Sequence, residues 1–332
     1  MALGMPMIAQ SSFDLERVLN GAKGPYDDRH VFITGLARAG TTILLRALYE
    51  TGSFRSLTYR DMPFVLMPNT WKMLSIPFRR HQDAKQRAHK DRILVNFDSP
   101  EAFEEVFWRT FCGKDYIRTD HLKPHTVDAD TTCLFRDYVR QVVASAEAKG
   151  QSRYLSKNNN NLLRLSTIRD AFPNAVIVVP FRDPVQQSSS LLAQHLLFSE
   201  LQKEDRFSYD YMCWLAHHEF GMTHKASNFG SEKESFETSQ DPQHINYWLR
   251  HWCHSYEHVL STIPNGLIFV SYEKLCADPD GLINTILGLS GLKGYTTSMK
   301  TDFREAKRRE VTEVNEDLKA KAFILYRRML ER

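Results

Sequence analysis

Short apolar runs, each closed by glycine or a charged residue and followed by a helical pattern, recur along the chain. Residues 30–35 (HVFITG) form a β-rich run ending in glycine; LARAG follows, then TTILLRALYE with helical spacing of its apolar positions. RYLSK, at 153–157, opens a second unit. A helix is expected over 160–172, lining up Leu162, Leu163, Leu165 and Ile168 and stopped by Pro173. AVIVVPF, at 175–181, is continuously apolar, as a strand buried on both faces must be. RDP closes it, and a helix is expected through Ser190 to Phe198. LIFVSY, at 267–272, reads as a further strand. The stretch 207–263 is helical in pattern and rich in His, Trp and Tyr, with a polar loop over 228–243. A surface helix is expected over 314–331.

Strands alternating with helices predict a parallel sheet with helices on both faces: a three-layer α/β/α fold. Ligands of such sheets bind beyond the carboxyl ends of the strands. At 332 residues, 42% hydrophobic and 25% charged, the chain is expected to form a single domain over 1–332, its core motifs lying within about 30–290. The net charge of +3 gives no reason to expect a nucleic-acid or anionic-membrane partner. Cys112, Cys133, Cys213, Cys253 and Cys276 stand singly, without a CxxC pair, which predicts reduced thiols in the cytoplasm. The N-terminus lacks the basic start and long apolar run of a secretory signal, and no apolar stretch is long enough to span a membrane.

The first strand–helix turn carries candidate chemistry. In GLARAGTT (35–42), Gly35 and Gly40 let the backbone turn tightly so that successive N–H groups face an anion. The helix N-terminus adds the positive end of its dipole, and Thr41 and Thr42 add hydroxyl donors. The glycine spacing is that of a kinase loop, but Thr41 occupies the lysine slot and the cation, Arg38, lies inside the loop. The strand at 175–181 ends in Arg182, where a magnesium-binding enzyme would need a carboxylate. A P-loop kinase, or a non-catalytic nucleotide-binding protein, is the competing reading.

The loop resembles the 5′-phosphosulfate loop of sulfotransferases that use 3′-phosphoadenosine 5′-phosphosulfate (PAPS), in which [KR]-x-G-T-T follows the first strand. VVPFRDPVQQSSS resembles that family's 3′-phosphate motif, an arginine at a strand end with a serine eight residues on: here Arg182 and Ser190. FVSYEKLCADP is similar to its late strand. The resemblance implies the P-loop-like sulfotransferase fold, closest to the bacterial and tyrosylprotein branch. It implies PAPS as co-substrate, adenosine 3′,5′-bisphosphate (PAP) as product, and no metal. Arg38, Ala39, Gly40, Thr41, Thr42, Arg182, Ser190 and Tyr272 are the implied nucleotide-binding residues.

Sulfuryl transfer needs in-line positioning and neutralisation of charge on the bridging oxygen. Arg38 supplies one cation. Lys157 resembles a lysine of the tyrosylprotein branch that acts on the leaving group. Asp61, in SLTYRDMPFV, is the candidate base, with His89, His121 and His125 as rivals. If Asp61 is the base, Asp61→Asn abolishes turnover and leaves PAPS binding intact. The basic stretch 300–309 lies where the family often places a late 3′-phosphate loop, with Arg304, Lys307 and Arg308 undistinguished. His217, His218, His251, His254 and His258 lack ligand partners at metal spacing; with Trp248 and Trp252 they read as a packing face or pocket wall. The acceptor is a small molecule, lipid or glycan, left unranked.

Overall fold

The computed structural model describes residues 2–21, 27–78, 85–86, 94–230, 241–262, 266–294, 301, 303, 305–311 and 313–332. Strands buried on both faces gather at its centre. A five-stranded sheet runs in the order β2 (Phe54–Arg55), β6 (Arg153–Lys157), β1 (Val31–Ile33), β7 (Val176–Phe181), β9 (Leu267–Ser271), every neighbouring pair parallel. Two small pairs lie outside it: antiparallel β3 (Lys85–Gln86) with β4 (Leu94–Val95), and parallel β5 (His121–Leu122) with β8 (Ala226–Ser227).

Side chains alternate across the sheet. Val31, Ile33, Val176 and Val178 join one apolar cluster with α2 (Thr41–Glu50) and α11 (Pro279–Leu289). Phe32, Ile177 and Val179 join the other, built on α1 (Pro6–Asn20), α4 (Glu105–Tyr116), α5 (Ala129–Ala144) and α9 (Ile245–Thr262). The result is the expected three-layer α/β/α arrangement. Register aligns the strand ends, since Ile33 lies opposite both Lys157 and Val178. The turns after β1, β6, β7 and β9 therefore open on one edge of the sheet.

Three expected elements differ in detail. The helix over 160–172 breaks into a 3₁₀ turn (Asn159–Leu163) and α6 (Leu165–Ala171). Arg164 interrupts it with a non-helical backbone (φ −145, ψ 31) because its guanidinium is drawn into a buried pair with Glu105. The helix after β7, α7 (Pro184–Glu204), starts earlier than expected, because Asp183 caps it by accepting from the N–H groups of Val185 and Gln186, both at 3.0 Å. The last helix, α12 (Glu316–Leu330), buries Ala322, Leu325 and Met329 against the body, so it is a surface helix on one face alone. Among the described residues between α8 (Arg206–Trp214) and α9 the only helix is a short 3₁₀ turn, Gly221–Thr223; residues 231–240 of the expected polar loop lie outside the described residues. α3 (Pro68–Ser75) and α10 (Tyr272–Ala277) complete the helices named here. Among the described residues no helix is long and apolar enough to cross a membrane.

Burial pulls the imidazoles of His30, His125 and His251 down from 6.5 to about 4, about 3 and about 4. The unfolded chain protonates histidine near 6.5, so between about pH 6.5 and about pH 4 it binds more protons than the folded chain. Stability therefore falls as pH drops through that window, by up to about 1.4 kcal/mol per pH unit for each histidine. A urea-unfolding series from about pH 7 to about pH 5 is expected to show this loss; a flat profile contradicts it.

Candidate active site

The β1–α2 loop is held in a conformation that glycine makes possible. Gly35 has φ 145, and a Cβ there would lie 2.8 Å from the Pro180 carbonyl oxygen. Gly40 (φ 83) is the N-cap of α2, and a Cβ there would meet the Tyr272 ring at 2.9 Å. The loop is thus pressed between β7 and the start of α10. Arg38 also has positive φ, 69. Gly40, the N-cap of α2, has no side chain to cap it, so the positive end of the helix dipole faces the loop.

The turn after β7 faces the same edge. Arg182 is buried, its guanidinium carbon 4.8 Å from the centre of the Tyr272 ring. Asp183 is occupied in capping α7, and among the described residues no carboxylate pairs with Arg182. Burial pushes the Tyr272 hydroxyl up to about 12, keeping it a neutral donor. Ser190 lies in α7, and Arg38 Nε donates to its Oγ at 3.1 Å. The two turns singled out by sequence, 152 residues apart, thus meet side chain to side chain.

Arg38, Thr41, Thr42 and Lys157 line one cavity of about 160 Å³. Its far wall is one face of α8, where Ser208, Tyr211 and Met212 repeat at i, i+3, i+4, continued by Leu215 just past the helix end. Phe198 and Phe220, stacked with centroids 6.3 Å apart, extend the apolar wall. Three further polar residues line it: His217, one of the histidines read from the sequence as a packing face or pocket wall, and Glu101 and Glu219, which had no signal in the sequence as site residues. Glu101 accepts from the Tyr59 hydroxyl at 3.2 Å, Glu219 accepts from the Asn159 amide at 3.0 Å, and His217 lies 3.0 Å from the Ala102 carbonyl through Nε2.

Lys157 is placed from behind by a buried polar network. The Asn158 backbone N–H donates to Ile33 at 3.0 Å, and its side-chain amide donates to Glu105 at 2.7 Å. Glu105 receives a two-pronged bond from Arg164 at 2.8 and 3.0 Å, both side chains fully buried. Glu104 accepts from the Tyr154 hydroxyl at 3.0 Å and from Asn161 at 2.9 Å.

Asp61, expected as the base, is not among the residues lining this cavity. It is buried, with Oδ1 2.5 Å from Arg55, and Oδ2 accepting from the Thr58 N–H at 2.7 Å and the Thr58 hydroxyl at 3.2 Å. Both oxygens are taken up in a capping box and an ion pair, and Arg60, its neighbour in sequence, pairs instead with Asp98. Asp61→Asn is therefore expected to cost roughly 2 kcal/mol in urea unfolding, with turnover per folded molecule within about twofold of native.

His121 pairs with Asp120 at 2.8 Å, and His125 stacks on Tyr116 at 4.8 Å; neither lines the cavity. His89 and Arg304 lie outside the described residues. Lys307 and Arg308 are exposed; it is Arg309 that reaches α7, its guanidinium donating to the Ser189 carbonyl at 3.0 Å. Among the described residues no three or more potential metal ligands gather.

A model described as the sulfotransferase family matches residues 30–229. Solved structures are similar at low identity. The sulfotransferase STF1 of Mycobacterium tuberculosis is 16% identical, covering 86% of this chain and 72% of its own, with a TM-score of 0.47. STF9 of Mycobacterium avium is 14% identical over 98% of this chain and 74% of its own, at 0.48. A sulfotransferase of Alicyclobacillus acidocaldarius is 13% identical over 92% and 94%, at 0.39. No curated protein matches the chain significantly.

Proposed function

The chain belongs to the sulfotransferase family, and on that premise we propose that it transfers a sulfuryl group from PAPS to a hydroxyl or amine of a small-molecule, lipid or glycan acceptor. The observation that carries this reading is the convergence of Arg38, Thr41, Thr42 and Lys157 on one cavity at the N-terminus of α2.

In this reading Arg38, Thr41, Thr42 and the backbone N–H groups through Ala39 and Gly40 hold the 5′-phosphosulfate. Arg182 and Ser190 hold the 3′-phosphate, and Tyr272 packs beside them. The acceptor lies against the apolar face of α8, which suits a compound with an apolar body. Its oxygen or nitrogen attacks sulfur in line; the bond from sulfur to the bridging oxygen breaks, and PAP leaves with the electron pair. Lys157 neutralises the charge that grows on that oxygen. Glu101, a carboxylate of the cavity that Asp61 does not line, takes the acceptor's proton. The fixed cations Arg38 and Lys157 do the work that a metal ion does in phosphoryl transfer. Five unbridged cysteines suit a reducing compartment, and the reading places the enzyme in the cytoplasm.

The test is a calorimetric titration with PAP and with ATP plus magnesium, followed by transfer from radiolabelled PAPS to a panel of hydroxylated and amine acceptors. Binding of PAP together with transfer supports the reading; preference for ATP favours the kinase alternative. In the same assay Arg182→Ala is expected to weaken PAP binding roughly 30-fold, about 2 kcal/mol. Adenosine 5′-phosphosulfate, which lacks the 3′-phosphate, should bind both proteins alike. Equal loss for both ligands would move Arg182 away from the 3′-phosphate.

A further inference from the structure

A single buried amide joins the two turns. Gln187, in the first part of α7, is fully buried. Its Nε2 donates to the Leu36 carbonyl at 3.3 Å and the Ala37 carbonyl at 2.9 Å, both in the β1–α2 loop. Its Oε1 accepts from the Arg182 backbone N–H at 3.2 Å and the Trp252 indole N–H at 2.9 Å. A primary amide offers two N–H donors and two lone pairs, and all four are used. The arrangement works one way round only: flipping the amide would set its oxygen against two carbonyls and its N–H groups against two donors.

These four bonds have a directional consequence. In a trans peptide the C=O and N–H point in opposite directions. Drawing the Leu36 and Ala37 carbonyls toward Gln187 therefore turns the N–H groups of Ala37 and Arg38 away from it. The Arg182 N–H, held by the same amide, sets where that arginine leaves the sheet. We propose that Gln187 is a positioning residue for the nucleotide: it locks the 5′ loop and the 3′-phosphate turn into one preorganised unit before the ligand arrives. The proposal rests on the PAPS-binding reading given above. Neither turn has to be ordered at the moment of binding, and that saving appears as affinity.

The test compares Gln187→Met, equal in length and without hydrogen bonds, with Gln187→Glu and with Trp252→Phe. The last removes a buried partner of Gln187 without touching either turn. PAP binding by calorimetry is expected to weaken about 10-fold or more in Gln187→Met and further in Gln187→Glu, whose carboxylate would face two carbonyls. Trp252→Phe should lower the thermal midpoint and keep the native Kd within about twofold. In turnover, Gln187→Met should raise the KM for PAPS and leave the KM for acceptor alone, a split that general destabilisation does not produce. A Gln187→Met protein with native affinity for PAP overturns the proposal, and so does an equal rise of its KM for PAPS and for acceptor. Failure of the native chain to bind PAP instead overturns the nucleotide reading beneath it.

Discussion

Lys157→Ala is expected to cut turnover roughly 10²–10³-fold while PAP still binds within about threefold of its native Kd. The split follows from when the charge appears. The bridging oxygen shares its electrons with sulfur in the bound donor and gains charge as that bond breaks, so a cation aimed at it acts mainly on the transition state. Lys157 suits that task because it ends β6 opposite Ile33, beside the loop that begins after β1, and lines the same cavity as Arg38. Single-turnover transfer from radiolabelled PAPS, with PAP calorimetry on the same sample, checks both halves. Native turnover in the variant removes Lys157 from the leaving-group role. A loss of binding as large as the loss of rate makes it a nucleotide anchor instead.

The largest effect on stability is expected from Glu105→Ala, at about 3–5 kcal/mol in urea unfolding. Glu105 and Arg164 have side chains with no solvent exposure, and the Arg164 guanidinium lies 4.8 Å from both the Trp108 and Tyr116 ring centres. Removing the carboxylate leaves a buried arginine unpaired, which is costlier than never having built the pair. Glu105→Leu combined with Arg164→Met should therefore recover much of the loss; no recovery would show that the pair itself stabilises the fold. Burial pushes the Glu105 carboxyl up, but the Arg164 charge and hydrogen bonds from Arg164, Tyr116 and Asn158 outweigh it and hold the group below its ordinary value. A depressed folded value makes this contribution full above the unfolded carboxylate pKa of about 4.3, and it disappears as pH falls through the folded value. Because Asn158 hangs from Glu105, the single variant should also lose turnover per folded molecule.

How far residues could be read before folding depends on how local their determinants are. The β1 loop was legible because tight backbone turning, donor hydroxyls and a helix start all lie within eight consecutive positions, from Gly35 to Thr42. Arg182 and Lys157 were legible because each ends an apolar or β-rich run, and parallel strands put such ends on one edge. Asp61 shows the complementary limit: a carboxylate beside an arginine in sequence tells nothing of which arginine it meets. Folding gave it Arg55, which enters from β2, and sent Arg60 to Asp98. Glu101 and Glu219 gave no local sign, since each comes to line the cavity beside segments far away in the chain.

Periodicity and backbone chemistry, both properties of near neighbours, were enough to set the strands, the tight β1–α2 turn and the edge of the sheet on which the candidate residues gather. Which carboxylate faces the cavity, and which glutamine, Gln187, ties the two turns together, were decided only when α7, α8 and the chain before α4 closed over that edge. A side chain's partners depend on distances in space, and along a chain of 332 residues those distances follow from the packing of elements and not from sequence separation.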